Sequence, residues 1–178
     1  MEDRSNLLNQ ILYTHLIQRG FLQMHSSLVN YHGHGIMFLG PSGIGKTTQA
    51  ELWHQYQKAA IVNGDCVMVE KRDDRFIAWG TPWHGSSSYC LNQQVPLKAL
   101  VVLKQGPENV LIKLQGFEKL IGVSGNIFYP LWLENSAILC TDLLNDLLSA
   151  LPVYQLTCRP DHEAVATLWN ELKMENQI

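Results

Sequence analysis

At 178 residues, with 46% hydrophobic and 16% charged side chains, the chain suits one domain with a proper core over residues 1–178 and is too short for two. A formal net charge of -3, with Lys and Arg scattered in runs no longer than Lys71-Arg72, argues against a nucleic-acid partner. No apolar run approaches bilayer length, and no apolar segment of the signal-peptide kind follows Met1-Glu2-Asp3-Arg4, so the expectation is a cytoplasmic protein without a membrane partner.

Leu7, Leu8, Ile11, Leu12, His15, Leu16 and Arg19 recur with a helical period. Ser5 or Asn6 would cap this helix and Gly20 would end it. Its apolar face suits packing on the body of the protein or on a second copy. A strand is expected over 24–30, then a hairpin turn at Tyr31-His32-Gly33-His34-Gly35, then the short buried strand Ile36-Met37-Phe38-Leu39. A helix over 46–58 has Ala50, Leu52, Trp53 and Tyr56 as a partial apolar face. Ala60-Ile61-Val62 reads as another buried strand. The runs 66–70 and 75–79 read as strands joined by the solvated turn Lys71-Arg72-Asp73-Asp74.

A long loop is expected over 80–89. The runs 97–103 and 110–114 resemble a second hairpin, turning at Gly106-Pro107-Glu108-Asn109. A helix over 130–151, a strand over 153–156 and a helix over 161–174 capped by Asp161 complete the chain. The four cysteines, Cys66, Cys90, Cys140 and Cys158, form no C-x-x-C pair and read as buried or partly buried free thiols.

The chemistry sits between the second strand and the helix after it. Gly40-Pro41-Ser42-Gly43-Ile44-Gly45-Lys46-Thr47 is a G-x-x-x-x-G-K-[ST] phosphate loop, followed by Thr48. At average residue frequencies such a pattern arises by chance in roughly one chain per hundred of this size, and the flanking strand and helix make chance less probable still. Loop N–H groups and the helix dipole would face phosphate oxygens. Lys46 would neutralise the β/γ oxygens, and Thr47 would offer its hydroxyl to Mg²⁺.

Asp65, after the strand 60–62, is the natural carboxylate partner. It would either hold Mg²⁺ through water or accept the proton of an attacking hydroxyl. Gly64 beside it leaves room for a close approach. Asp73 and Asp74 read as a solvated turn. Among the seven histidines, His15, His54 and His162 lie on expected helices, and His32 and His34 in a surface turn. His25 starts the strand leading towards the loop and is a candidate neighbour of the transferred phosphoryl group. The 80–89 loop carries Thr81, His84 and Ser86, which would line a pocket or form a rim.

Met24-His25-Ser26-Ser27-Leu28-Val29, the phosphate loop with its Thr48, Ile61-Val62-Asn63-Gly64-Asp65, Gly80-Thr81-Pro82-Trp83 and Val95-Pro96-Leu97-Lys98-Ala99-Leu100 together resemble the catalytic core of HPr kinase/phosphorylase. They are most similar to short stand-alone HPr-kinase-like proteins related to phosphoenolpyruvate carboxykinase. The resemblance covers about half the chain, from Met24 to Leu114. It implies an α+β fold with a mixed, largely antiparallel sheet that carries the phosphate loop and is flanked by helices.

It also implies Mg²⁺-dependent phosphoryl transfer from ATP or another nucleoside triphosphate to a hydroxyl of a peptide, a protein or a small molecule. Asp65, His25 and Lys46 would then be catalytic, residues 40–48 nucleotide-binding, and Thr47 and Asp65 metal-binding. Homo-oligomers are common among such relatives. Two departures stand out. Where HPr kinases show two adjacent acids after this strand, Gly64 precedes Asp65 and Cys66 follows. The features that recognise HPr are absent as well, so the acceptor implied is something other than HPr. The alternatives are a nucleotide-binding sensor or scaffold without transfer activity, favoured by the missing acid, and a conventional phosphate-loop NTPase, which would have a parallel sheet.

Overall fold

In the computed structural model the described residues are 2–176 and 178, with side chains from Leu7 onward. The elements run α1 (Glu2–Ile17), β1 (Phe21–Tyr31), β2 (His34–Leu39), α2 (Lys46–Gln57), β3 (Ala60–Asn63), β4 (Cys66–Arg72), β5 (Arg75–Gly80), β6 (Gln94–Gln105), β7 (Val110–Lys113), α3 (Phe117–Ser124), α4 (Ser136–Ala150), β8 (Val153–Cys158) and α5 (His162–Met174).

The sheet is mixed and largely antiparallel, as expected. Only β2–β6 and β6–β8 pair parallel; β1 pairs antiparallel with β2, β3 and β4, and so do β4 with β5, β5 with β6 and β7 with β8. The pairings β2-β1-β4-β5-β6 close on themselves through β2–β6. The closure depends on two long strands. β1 gives Phe21–His25 to β4 and Ser26–Tyr31 to β2, while β6 gives its first residues to β5 and Leu97–Val102 to β2.

Two apolar layers hold this sheet. One packs Met24, Leu28, Met37, Leu39 and Leu100 against Tyr13 and Ile17 of α1 and Cys140, Leu144 and Leu147 of α4. The other packs Val29, Ile36, Phe38 and Val101 against Ala50 and Trp53 of α2 and Val165, Leu168 and Leu172 of α5. Burial on both faces explains why the strand before the phosphate loop is apolar without alternation. Leu52 is half-buried and Tyr56 exposed, so the apolar face of α2 is narrower than the sequence suggested.

Several expectations are corrected. The strands β6 and β7 form no hairpin, because β8 lies between them, parallel to β6 and antiparallel to β7. Val153, Tyr154 and Leu156 of β8 are fully buried, whereas Val110 and Ile112 of β7 are exposed. The more apolar strand takes the interior position and the half-polar one the edge. The expected helix over 130–151 begins only at Ser136. Residues before it form turns, and Asn135 at φ 60 breaks the helical path.

α3 was not foreseen; its Phe117 and Ile121 are exposed and only Val123 is buried. α1 extends from Glu2, so Ser5 and Asn6 fall inside the helix instead of capping it, and their side chains lie outside the described residues. Leu7, Leu8, Ile11 and Leu12 are exposed. Cys90 is exposed, unlike the other three free thiols, and His34 is half-buried as the first residue of β2. Asp161 does cap α5, accepting from the Ala164 N–H. Among the described residues no helix is long and apolar enough to cross a membrane.

Candidate functional site around the phosphate loop

Strand register brings three chain segments to one place. On β1, His25 lies opposite Cys66 and Ser26 opposite Leu39. The phosphate loop therefore leaves β2 where Asp65 enters β4, with His25 at the point where β1 passes from one partner to the other. The Ser26 N–H donates to the Asp65 carbonyl at 2.9 Å. His25 Nε2 then stands 3.0 Å from Asp65 Oδ1.

Residues 40–47 form a glycine-dependent loop. Gly40 has φ 140 and Gly45 φ 113, both in the region that costs other residues strain. A Cβ at Gly40 would also press on Ile44 at 3.1 Å. Lys46 is 6% exposed and folds back on the loop, donating from Nζ to the Gly40 carbonyl at 3.0 Å and the Pro41 carbonyl at 3.2 Å. Ser27 Oγ donates to the Lys46 carbonyl at 2.8 Å, tying β1 to the first turn of α2. The Thr47 hydroxyl donates to the Gly64 carbonyl at 3.2 Å.

A cavity of about 230 Å³ opens over the loop. Lys46, Thr47, His25 and Asp65 all line it, together with Ser86 and Ser87. The His25 N–H holds the Asp65 carboxyl below the usual carboxylate range; burial opposes this, and the charges of His25, Lys46 and His84 add to the lowering. Burial pushes the Lys46 ammonium below the usual lysine range, and the nearby Asp65 works against that shift. Each of the two groups favours the charged form of the other.

Among the described residues no group of three or more His, Cys, Asp or Glu side chains could hold a metal ion on its own. Thr47 and Asp65 nevertheless supply two oxygen donors to the same cavity, which fits Mg²⁺. That ion takes few protein ligands and completes its shell with phosphate oxygens and water.

The 80–89 loop divides into two roles. Thr81 is buried and donates to the Cys66 carbonyl at 2.7 Å, so it anchors the loop and does not line the cavity. Ser86 lines it as expected. His84 is exposed and reaches Asp65 only through its charge. A Cβ at Gly64 would collide with Ser87 Oγ. A side chain at position 64 would therefore meet the loop. Asp73 and Asp74 are exposed at the tip between β4 and β5, far along the strands.

Two positioning residues escaped the sequence reading. Asn63 is fully buried. Its Oδ1 accepts from the N–H groups of Asp65 and Cys66, each at 2.8 Å, and its Nδ2 donates to the carbonyls of Thr81 at 2.9 Å and Trp83 at 3.1 Å. Asn126, 7% exposed, accepts the Gly40 N–H on Oδ1 at 2.8 Å, and its carbonyl accepts the His25 N–H at 2.8 Å. Asn63 sits directly after an apolar strand and before Gly-Asp, a turn signal that could have flagged it. Nothing in the sequence links Asn126 to a loop 86 residues away.

The family model described as "SynChlorMet cassette protein ScmC" matches residues 4–136. The chain belongs to the ScmC family. The matched span holds the phosphate loop, His25, Asp65, Asn63 and Asn126, so the whole candidate site lies inside the ScmC-defining region. No curated protein matches the sequence. Among solved structures, the HPr(Ser) kinase/phosphatase from Coxiella burnetii is similar at 11% identity and a TM-score of 0.49, over 86% of this chain and 93% of its own.

Proposed function

We propose that this ScmC-family protein is a kinase that binds Mg-ATP on residues 40–48 and transfers its γ-phosphoryl group to a hydroxyl of a peptide, a protein or a small molecule. The observation that carries the reading is the His25–Asp65 pair, 3.0 Å apart, in the same cavity as Lys46 and Thr47. A phosphate loop alone would fit any nucleotide-binding protein. A hydrogen-bonded carboxylate facing the loop adds what transfer needs, a group that can receive a proton beside the phosphate.

In this reading the loop N–H groups and Lys46 cradle the β- and γ-phosphates. Thr47 would hold Mg²⁺, with Asp65 reaching it only through water, and the ion would neutralise phosphate charge. The acceptor oxygen forms a bond to the γ-phosphorus as the bond from that phosphorus to the β-γ bridging oxygen breaks. The acceptor proton passes to the His25–Asp65 pair, and Lys46 balances the charge left on the nucleoside diphosphate. Positioning and charge neutralisation supply most of the rate.

A second reading, a nucleotide sensor without transfer, is favoured by one observation: Asp65 has no acid beside it, and a side chain at position 64 would meet Ser87. The two separate in an assay with radiolabelled ATP, Mg²⁺ and candidate peptide and small-molecule acceptors. The kinase reading expects a labelled product that Lys46→Ala and Asp65→Asn each abolish while both variants keep their fold. Turnover unchanged in both variants would sink the assignment. ATP binding with no product from any acceptor would leave the sensor.

A further inference from the structure

The closed ring of strands has two ends. The phosphate loop leaves one of them, and a cavity of about 480 Å³ opens at the other. It shares no lining residue with the phosphate cavity. His34, the first residue of β2, lines it, whereas the phosphate loop follows Leu39, the last, so the length of β2 separates the two places by about 16 Å. Phe76 and Leu97, both buried, give the cavity apolar walls, with Leu151 at the end of α4 beside them.

Two unpaired cations line this space. Among the described residues, Arg75 and Lys98 have no ion pair, hydrogen bond or ring contact, and both line the cavity. The other described Lys and Arg side chains, Lys104 apart, each have such a partner. The acids nearest along the chain are already taken: Glu70 holds Arg72, which lies opposite Arg75, and Asp146 holds Lys71. Asp74 and His34 are the other titratable groups in the lining. The C-terminus of α4 brings carbonyl dipoles to the rim, but Lys119 Nζ donates to the Leu148 and Leu151 carbonyls and offsets them. Positive charge is therefore in excess.

The backbone sets Lys98 in place. Where β2 steps from Gly35 to Ile36, β6 steps from Leu97 to Ala99, so Lys98 has no partner on β2. Such a bulge re-aims a side chain. Leu97 and Lys98, neighbours that would face opposite ways in a regular strand, here line one cavity. Gly35 allows the strands to approach this closely, because a Cβ there would stand 2.9 Å from Val95 Cγ1 and 3.1 Å from the Pro96 carbonyl oxygen. Lys98 is half-buried, and an ammonium withdrawn from water without a counter-charge is stabilised by an anion that enters beside it.

We propose that this cavity is a second anion site, which binds a small molecule by its carboxylate or phosphate group between the Arg75 guanidinium and the Lys98 ammonium, with the carbon skeleton against Phe76 and Leu97. Arg offers two parallel N–H donors to such a group, and Lys adds a point charge. The assignment does not depend on the phosphate-loop reading.

The test is an NMR titration of the intact protein with inorganic phosphate and, separately, with succinate, at an ionic strength held constant with sodium chloride. Backbone amide shifts of Gly33, His34, Arg75 and Lys98 report on this cavity, and those of Gly43 and Gly45 on the phosphate loop. At least one of the two anions should move the first set along a saturating curve. Phosphate alone assigns the ligand to phosphate esters, succinate alone to carboxylic acids, and both to either oxyanion. Arg75→Gln and Lys98→Gln should each weaken that binding about tenfold, the worth of one charge-assisted hydrogen bond, while both keep wild-type affinity for inorganic tripolyphosphate at the loop. No saturating shift in the first set with either anion, shifts confined to Gly43 and Gly45, or wild-type anion affinity in both variants would overturn the proposal. The wild-type titrations decide the point even if a variant does not fold.

Discussion

Asn63→Ala tests how the candidate site is held. Asn63 makes four hydrogen bonds from a fully buried position, two accepted from the Asp65 and Cys66 N–H groups and two donated to the Thr81 and Trp83 carbonyls. The Thr81 hydroxyl lies 2.7 Å from the Cys66 carbonyl and 3.1 Å from that of Trp83 and can share its one hydrogen between them, so the Trp83 carbonyl keeps a partner in the variant. Two N–H groups and the Thr81 carbonyl lose theirs. At about 1 kcal/mol for each buried bond lost, the variant should be destabilised by about 3 kcal/mol.

A domain of this size is stable by about 5–15 kcal/mol, so the variant should still fold. Its melting temperature should fall by about 6–12 °C, at about 2–4 °C per kcal/mol. Urea denaturation should show a lower midpoint with an unchanged slope. The functional consequence is local, because Asn63 orients the turn that presents Asp65 to His25. Imidazole nitrogen chemical shifts of His25 should therefore move with the loss of its 3.0 Å contact. A melting shift under about 2 °C, with those shifts unchanged, would refute the reasoning, since water would then replace Asn63 at no cost.

Asn126→Ala removes the acceptor of the Gly40 N–H, and should weaken tripolyphosphate binding more than tenfold while lowering stability by about 1–3 kcal/mol; equal ligand affinity in the variant would count against a positioning role. Gly64→Ala should cost about 1–3 kcal/mol by urea midpoint, because its Cβ meets Ser87, and Ser87→Gly in the same chain should restore most of that loss. The Asp65 carboxyl is held below its ordinary value of 3.8, so its contribution to stability is present above that pH and is lost as pH falls through the lowered folded value. The stability difference between wild type and Asp65→Asn should accordingly be present at about pH 6 and shrink below about pH 4, measured by urea unfolding across that range; a difference that grows on acidification would reverse the assigned sign. His25→Ala removes the largest cause of the lowering, so the Asp65 carboxyl should titrate higher in that variant by carbon-13 NMR, and an unmoved titration would contradict the pairing.

The local chemistry of the chain was legible without coordinates. Glycine spacing defined the phosphate loop because positive φ at Gly40, Gly43 and Gly45 is a local backbone demand that few other residues meet. The apolar run 36–39 announced a buried strand, and the Asp161 cap of α5 followed from side-chain chemistry within four residues. The tertiary structure decided everything that depends on who pairs with whom. The sequence read β6 and β7 as a hairpin, since neighbours in sequence usually pair, yet burial of β8 on both faces placed it between them. His25 and Asp65 were separate candidates until the register of β1 set His25 across from Cys66. Asn63 and Asn126 carried no helical or strand period to mark them. Their importance is a count of backbone groups satisfied by one buried side chain, and those groups come from segments that only folding brings together.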